Sequence, residues 1–357
     1  MENFIKNLEI ENYKSIKRIE LECSRINIFI GKPNVGKSNI LEVLSLLGNH
    51  SGNAFYSDYI NYERITELFH DFDDNNDISV RSNLCFSKLK LFKSDSRFAF
   101  FLDWSEANEE YVNKVFNYNN IYEFKKWFFD EYLKLQEFKK EHCTFFDFNA
   151  FGIDLQKSII KSNLFSYSFK KNNNFEVNNR LEQYLIPPFG ENLFYIFSIY
   201  NELKEEFAYF LKEYGLEPVY DKLENKMSFQ KKEGSTVYTF HYSLLADTLQ
   251  RIMFYKAAIY SHQNSILVFE EPEVNSFPPY IKDLAQTIIN SEENQFFIST
   301  HSPYLFTSML EDDSDAVSIF LTDYKNHQTV IKKLTKEQKI ELMKYGIDIL
   351  LNIESYS

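Results

Sequence analysis

A lysine and a serine at the end of a glycine-bounded loop are the residues whose chemistry is easiest to infer. The loop begins at Gly31 and closes with Gly36-Lys37-Ser38. Glycine permits backbone angles at which successive N–H groups point inward at a phosphate. A lysine at this position places its charge against the β- and γ-phosphates of a nucleotide, and the serine hydroxyl binds Mg²⁺. The residues predicted to bind the nucleotide are Gly31, Lys32, Pro33, Asn34, Val35, Gly36, Lys37, Ser38 and Asn39.

The segments on either side of this loop have the character that a phosphate loop requires. Residues 26–30 read Ile-Asn-Ile-Phe-Ile, which predicts a short apolar strand. Residues 40–47 carry apolar side chains over most of a helix surface, and Gly48 can end that helix. The helix is therefore predicted to be buried, with its positive N-terminal end facing the phosphates. This setting favours a phosphate loop over the alternative, an ordinary glycine-rich turn.

A second apolar segment ends in adjacent acids. Residues 265–269 read Ser-Ile-Leu-Val-Phe and are followed by Glu270-Glu271-Pro272-Glu273. Such a segment is typical of a parallel strand buried on both faces, and ligands collect at the carboxyl ends of those strands. We predict that Glu270 joins the Mg²⁺ shell and that Glu271 orients and deprotonates the attacking water. An acidic turn before a proline is common by itself, and its place downstream of a phosphate loop is what favours catalysis.

The next apolar segment ends in a histidine. Residues 295–300 precede His301-Ser302-Pro303, and a helix is predicted at 279–290 between the two strands. A strand, a helix and a second parallel strand place both strand ends at one edge of the sheet. The imidazole of His301 could then reach the γ-phosphate or the attacking water, although isolated histidines are more often without such a role. Lys37, Glu271 and His301 are accordingly predicted to be the catalytic residues around one nucleotide.

These motifs, in this order, resemble the ABC-type ATPase head, and within it the SMC-related branch that includes RecF and the OLD ATPases. The opening pattern of that branch is matched by Asn12-Tyr13-Lys14-Ser15, and its Glu-Glu-Pro-Glu-x-x-x-x-Pro pattern by residues 270–278. The resemblance covers residues 1–48 and 238–335. In such heads, the residue at Lys14 can lie near the base or the α-phosphate, so Lys14 joins the predicted nucleotide-binding residues. The residues alone favour an exposed turn for Tyr13 and Lys14 over a position near the nucleotide.

The resemblance implies an α/β fold: an ABC-type P-loop NTPase head, with a mixed β-sheet and helices. It also implies ATP and Mg²⁺ as cofactors, and a head-to-tail homodimer in which the partner's signature segment completes each nucleotide site. OLD proteins usually carry a Toprim nuclease domain after the head. Here 56 residues follow His301 and resemble a hairpin and a short helix. We therefore expect a stand-alone head whose nuclease or toxin, if one is involved, is a separate chain.

The sequence departs from the family pattern in ways that predict slow or partner-dependent hydrolysis. Where the family has a serine and glycines in its signature, this chain has Leu245-Ala-Asp-Thr-Leu249, with Ser243 nearby as a possible substitute. No glutamine lies between the phosphate loop and Gln136, so the metal-sensing glutamine has no obvious equivalent. Glu270 also stands where aspartate is common.

The predicted organisation is an N-terminal part of the head at 1–48, an inserted strand and helix lobe at 49–237, and the rest of the head at 238–357. The insert is α+β and rich in aromatic residues, with predicted strands at 78–86, 88–92 and 97–102 and predicted helices at 121–141 and 191–214. Its aromatic stripes favour a core or subunit face over base stacking. The stripes are Phe124, Trp127, Phe128 and Tyr132, and then Phe194, Phe197, Tyr200 and Phe207.

Composition narrows the classes of partner. The chain has 357 residues, a net charge of −13 and three cysteines without Cys-x-x-Cys spacing, so neither a disulfide framework nor a zinc site is indicated. The acidic charge gives no support to nucleic-acid binding, although a local basic groove would be compatible with it. No apolar run approaches the roughly 18 residues of a membrane span, and the N-terminus lacks a signal-peptide core. We expect a cytoplasmic protein without membrane contact.

Three functions are compatible with these residues. The first is an ATPase sensor or scaffold that controls a separately encoded effector in prokaryotic, anti-phage defence, with the aromatic insert as the docking face. The second is a RecF-like ATPase of DNA maintenance, for which salt-sensitive DNA binding would stimulate hydrolysis. The third is a nucleotide-binding module with little hydrolysis, which the altered signature favours.

Overall fold

The computed structural model describes residues 3–48, 55–104, 118–128, 130, 143–153, 162–171, 182–221, 226–313 and 315–345. The strands within these ranges are β1 Asn7–Tyr13, β2 Ile16–Glu22, β3 Ile26–Ile30, β4 Ile78–Ser82, β5 Phe86–Phe92, β6 Arg97–Asp103, β7 Cys143–Phe148, β8 Leu164–Tyr167, β9 Glu217–Asp221, β10 Lys226–Glu233, β11 Thr236–His241, β12 Ile266–Glu270, β13 Gln295–Ser299, β14 Val317–Lys325 and β15 Gln328–Lys333. The α-helices are α1 Lys37–Ser45, α2 Ile121–Trp127, α3 Leu193–Ile199, α4 Asn201–Lys212, α5 Asp247–Tyr260, α6 Pro278–Asn290, α7 Pro303–Asp313 and α8 Lys336–Tyr345.

A six-stranded sheet in the order β15-β14-β3-β13-β12-β8 forms the centre of the molecule. Its strands run parallel except for β15, which forms an antiparallel hairpin with β14. Every residue of β3 and β13 is buried, as continuous apolar segments predict for strands covered on both faces. Because β3, β13 and β12 are parallel neighbours, their carboxyl ends lie at one edge of the sheet.

Two large apolar cores cover the two faces of this sheet. Alternate residues of β3 divide between them: Ile28 and Ile30 join the helical core, and Phe29 joins the core that contains α1. The helical core is built from α3, α4, α5, α6 and α7. Successive side chains of a strand point to opposite faces, so the apolar residues of β3 contribute to both cores.

The core around α1 is closed by a second sheet, which is antiparallel and has the order β2-β1-β4-β5-β6-β7. Strand β4 pairs directly with β1, and β8 pairs with β12 of the central sheet. Strands from residues 49–237 thus extend sheets that the flanking segments begin. A third, smaller sheet has the order β11-β10-β9. The division at residues 48/49 and 237/238 stays a proposal about domain limits.

The aromatic stripes of the middle segment are core residues. Phe124, Trp127 and Phe128 pack with β5, β6 and β7 in a third apolar cluster. The second stripe, Phe194, Phe197 and Phe207, is buried in the helical core. The prediction that these stripes belong to a core or subunit face, and not to a base-stacking surface, is confirmed for these residues. That the insert is the docking face for an effector stays a prediction. Tyr132 lies outside the described residues.

The predicted helix at 191–214 is two helices, α3 and α4. Tyr200 between them has an extended backbone with φ −99° and ψ 107°. Its neighbours Ile199 and Asn201 are weak helix formers, and the Tyr200 hydroxyl donates to the carbonyl of Gln183 at 2.9 Å. Among the helices of the described ranges, none is both long and apolar enough to cross a membrane.

A buried lysine ties three helices together. Lys256 of α5 is fully buried, and its ammonium pairs with Glu206 of α4 and with Asp283 of α6, the latter at 2.6 Å. The two carboxylates remain partly accessible to solvent. The lysine therefore joins acids from both neighbouring helices inside the helical core.

Replacing this ammonium by an apolar group of similar length tests the interaction. Lys256→Met is expected to lower the free energy of unfolding by about 2 to 4 kcal/mol, because both acids lose their partner while the packing volume is kept. Urea unfolding measures the change. The matched control is Lys282→Met on the exposed side of α6, which should change stability by less than about 0.5 kcal/mol. Equal stability of the two variants would contradict this account.

Candidate active site

The loop between β3 and α1 can be built only with glycine at its two ends. A Cβ on Gly31 would lie 2.2 Å from the carbonyl oxygen of Thr322 in β14. Gly36 has φ +101°, and a Cβ there would lie 2.1 Å from the Thr329 hydroxyl and 2.7 Å from the Ser15 hydroxyl. The loop therefore passes against β14 and β15 with no room for a side chain at either end.

Helix α1 begins at Lys37, immediately after the second glycine, and no side chain among the described residues caps its N-terminus. An uncapped N-terminus presents backbone N–H groups and a positive dipole end to an anion. The Lys37 side chain is buried and folds back over the loop, donating to the carbonyls of Gly31 at 3.0 Å and Lys32 at 2.9 Å. Burial lowers the pKa of Lys37, and the nearby carboxylates of Glu271 and Glu270 oppose that shift.

Glu270, the last residue of β12, lies against the start of α1. Its carboxylate accepts a hydrogen bond from the Ser38 hydroxyl. Burial raises the pKa of Glu270, as do the charges of Glu42 and Glu271, while Ser38 and Lys37 lower it. Strand β12 and helix α1 therefore bring together a partly desolvated carboxylate and a hydroxyl, two oxygen groups that can act as metal ligands.

These two oxygen groups, on Ser38 and Glu270, fit Mg²⁺. The ion takes oxygen ligands, commonly one or two carboxylates together with substrate phosphates and waters, and Ser38 and Glu270 supply two such oxygens. In the part of the chain that the structure describes, no group of three or more His, Cys, Asp or Glu side chains could hold a metal ion by itself. Bound there, Mg²⁺ would neutralise charge on the β- and γ-phosphates.

Glu271 and His301 meet at the edge of the sheet, where β12 and β13 end. Nε2 of His301 lies 3.3 Å from Oε1 of Glu271. The backbone of Glu271 has φ +42°, an unfavourable conformation for a non-glycine residue, and its N–H donates to the Ser299 carbonyl at 3.0 Å. Partial burial and the charge of Lys37 lower the pKa of His301, and Glu271 raises it. The net shift favours the neutral imidazole.

The structure thus brings Lys37, Ser38, Glu270, Glu271 and His301 into one cluster. Asn39 lies beside it, and its amide donates at 2.7 Å to the Ser15 hydroxyl, which lies against the loop at Gly36. Val35 contributes a backbone carbonyl, which accepts from the Thr329 hydroxyl at 2.9 Å. Pro33 and Asn34 are exposed on the loop, and Asn34 has φ +60°. These four residues shape the loop, and their contacts with a nucleotide remain predictions.

Lys14 lies on the turn between β1 and β2, but its side chain is largely buried, so the interpretation as an exposed turn is wrong. Tyr13 is buried, and the Lys14 ammonium lies 2.5 Å from a Glu42 oxygen and 3.0 Å from the Asn61 carbonyl. The Tyr13 hydroxyl donates to the same Glu42 oxygen at 3.1 Å. Tyr13 at the end of β1 and Lys14 in the following turn therefore both contact Glu42, in the second turn of α1.

Sequence reasoning missed Glu42 and Thr329. Glu42 follows Ser38 by four residues, which places both on one face of α1, and this spacing was a usable signal. Thr329 donates to Val35 and contacts Ser15 at 2.6 Å, but nothing near it in sequence indicates the phosphate loop. Its position depends on β15 folding back beside the loop.

The signature-like segment forms the start of α5. Ala246 precedes the helix and is exposed, and Asp247 in its first turn pairs with Lys171 at 2.6 Å. The Thr248 hydroxyl donates to the carbonyl of Asn275, in the turn that follows the acidic strand end, at 2.7 Å. Ser243 lies before the helix in a short 3₁₀ segment, and its substitution for the missing serine stays a prediction.

Comparison with known proteins agrees with this geometry. A model of the AAA ATPase domain family matches residues 4–246, more than half of the chain. The chain belongs to this family. No curated protein matches it in sequence.

Two solved SMC heads share the fold of this family member. One is an Smc head bound to the C-winged helix domain of ScpA, with a TM-score of 0.50, 14% identity, and coverage of 95% of this chain and 99% of that one. The other is an Smc head domain with an extended coiled coil, bound to the C-terminal domain of ScpA and derived from Pyrococcus furiosus. It has a TM-score of 0.50, 12% identity, and coverage of 96% and 99%. The predicted fold of an ABC-type P-loop ATPase head is confirmed, and the family match identifies the chain as an ATP-binding ATPase.

The crowding at Gly36 gives a test of the loop in this ATPase. Gly36→Ala is expected to weaken ATP binding by about tenfold or more, because the methyl group would push the loop away from Thr329 at an unfavourable φ. Isothermal titration calorimetry with Mg²⁺ and ATP measures the affinity. Gly234→Ala is the matched control: this glycine also has positive φ, +61°, but has no described atom within 4 Å of the added Cβ. An equal loss of affinity in both variants would contradict the account.

Proposed function

We propose that this ATPase is an ATP-dependent switch in prokaryotic, anti-phage defence, where it holds and releases a separately encoded effector. The observation that carries the enzymatic part is the meeting of three distant segments. Glu271 lies 3.3 Å from His301, and the charges of both Lys37 and Glu271 act on the imidazole. The OLD-like motifs support the defence role, and the acidic net charge of −13 gives no support to the DNA-maintenance alternative.

The proposed chemistry is in-line attack of water on the γ-phosphorus of ATP. Glu271 Oε accepts a proton from the water as its oxygen forms the new P–O bond, and the bond from the γ-phosphorus to the bridging oxygen breaks to leave ADP. His301, whose Nε2 lies 3.3 Å from Oε1 of Glu271, keeps that carboxylate oriented. Lys37 stabilises charge on the phosphoryl oxygens.

Removing the proton acceptor separates hydrolysis from binding. Glu271→Gln should lower the rate of ATP hydrolysis by about 100-fold or more, since the amide cannot take the proton. ATP affinity should stay within about threefold, because Lys37 and the loop are unchanged. Released phosphate and calorimetry give the two quantities.

The control for this variant is Glu293→Gln, which changes an exposed acid in the turn between α6 and β13. It should hydrolyse ATP as the unchanged chain does. Undiminished hydrolysis in Glu271→Gln would remove Glu271 as the base. Hydrolysis that is undetectable in every form, with ATP still bound, would instead favour a nucleotide-binding module.

We also propose that two copies share the nucleotide, so that the exposed start of α5 in one copy faces the site of the other. Asp247 places a carboxylate in the first turn, where an anionic phosphate would be disfavoured, and its pairing with Lys171 offsets part of that charge. Slow or partner-stimulated turnover follows from this arrangement.

Light scattering after size exclusion tests the shared site. Glu271→Gln with Mg²⁺ and ATP should elute as a dimer, and the same sample without nucleotide as a monomer. A mass that is independent of ATP would contradict the shared site.

Coexpression with the product of an adjacent gene tests the effector role. ATP should change the amount of that product that copurifies with a tagged head. One of the similar SMC heads binds a separate winged-helix domain, which supports an arrangement of this kind. Recovery of the head alone, with and without ATP, would count against the effector role.

A further inference from the structure

The third acid of the Glu-Glu-Pro-Glu segment has a role of its own. Glu273 is 5% exposed, and its Oε1 accepts hydrogen bonds from the Thr300 hydroxyl at 2.5 Å and from the backbone N–H of His301 at 3.1 Å. The Thr300 hydroxyl in turn accepts from the backbone N–H of Ser302 at 2.9 Å. One carboxylate oxygen thus organises the turn that carries the imidazole.

This contact links the two turns of the site. The turn after β12 carries Glu271 and Glu273, and the turn after β13 carries His301. The N–H of Glu271 already donates to Ser299, at the end of β13. Glu273 adds two further hydrogen bonds to the turn after β13, from Thr300 and from the backbone of His301. The two turns are therefore held together on both sides of the 3.3 Å contact between Glu271 and His301, by Ser299 before it and by Glu273 after it in sequence.

We infer that Glu273 is a positioning residue, which holds the His301 imidazole against Glu271 through the Thr300 hydroxyl and the His301 backbone. The inference rests on the proposed roles of Glu271 and His301. Among the described residues, Glu273 forms no hydrogen bond or ion pair with those predicted to hold the nucleotide; its hydrogen bonds go to Thr300 and His301. Its effect should therefore fall on the hydrolytic step and not on ATP affinity.

The geometry requires an acceptor oxygen and not a charge. Both donors share Oε1, and the second oxygen, Oε2, has no hydrogen-bond partner among the described residues. Burial and the charge of Glu271 raise the pKa of Glu273, and its hydrogen bonds with Thr300 and His301 oppose that shift. A glutamine, which keeps the acceptor, should thus substitute for Glu273, and alanine should not.

Two pairs of variants test the clamp, by which we mean the hydrogen bonds of Glu273 with the Thr300 hydroxyl and the His301 N–H. Glu273→Ala and Thr300→Val remove the acceptor and the hydroxyl donor, while Glu273→Gln and Thr300→Ser keep them. The first pair should lower kcat about tenfold with KM and the ATP dissociation constant within twofold, and the second pair should stay within about threefold of the unchanged chain. Urea unfolding identifies any variant that fails to fold, and if Glu273→Ala does so, the Thr300 pair decides.

A second measurement does not depend on hydrolysis. The His301 imidazole can be followed by proton–carbon NMR of histidine-labelled protein, with His301→Gln assigning its signal among the seven histidines. Lys37 and Glu271 face this ring and act on its titration. Without the clamp, the pKa of His301 should return toward 6.5, and Glu273→Gln should keep the lowered value.

An unchanged His301 titration in both Glu273→Ala and Thr300→Val would overturn the inference, as would equal losses of kcat in Glu273→Ala and Glu273→Gln. Failure of the proposed function is distinguishable from both results. In that case His301→Gln would hydrolyse ATP at the unchanged rate, whereas the NMR titration would still report whether Glu273 holds the ring.

Discussion

The parallel pairing of β13 between β3 and β12 is the constraint on which the site depends. Glu270 lies opposite Ser299, and Ser299 lies opposite Phe29, in one continuous register across the three strands. A shift of one residue in either pairing would turn the strand residues to the other face of the sheet. Because the side chains on each face are packed in a separate apolar core, such a shift would disrupt the packing of both cores. In the observed register, the ends of three segments far apart in sequence meet at one edge.

The cluster at that edge gathers negative charge around one buried ammonium. Lys37 has carboxylates nearby from Glu270 and Glu271, while Glu42 of the same helix is held by Lys14. Such an arrangement favours the binding of a divalent cation with a triphosphate, because the metal offsets the repulsion between the acids and the phosphates. The strained backbone of Glu271 is retained because its N–H is bonded to β13.

The sequence predicted the parts of the site that depend on local pattern. The phosphate loop, the acidic strand end and the histidine each follow an apolar strand, and the order of these elements was enough to place them at one edge. Pairing across the fold was not readable. Two contacts depend on which strands become neighbours: Lys14 pairs with Glu42, and Thr329 donates to the phosphate loop. The pairing of β4 with β1 likewise continues a sheet across residues that the pattern assigned to an insert.

One ATP should touch all three segments at once. A crystal structure with Mg²⁺ and a non-hydrolysable ATP analogue measures this directly. We expect the γ-phosphate in contact with Lys37, the metal between Ser38 and Glu270, and Glu271 and His301 facing the γ-phosphorus. A nucleotide bound away from the loop, or a γ-phosphate beyond the reach of Glu271 and His301, would contradict this expectation.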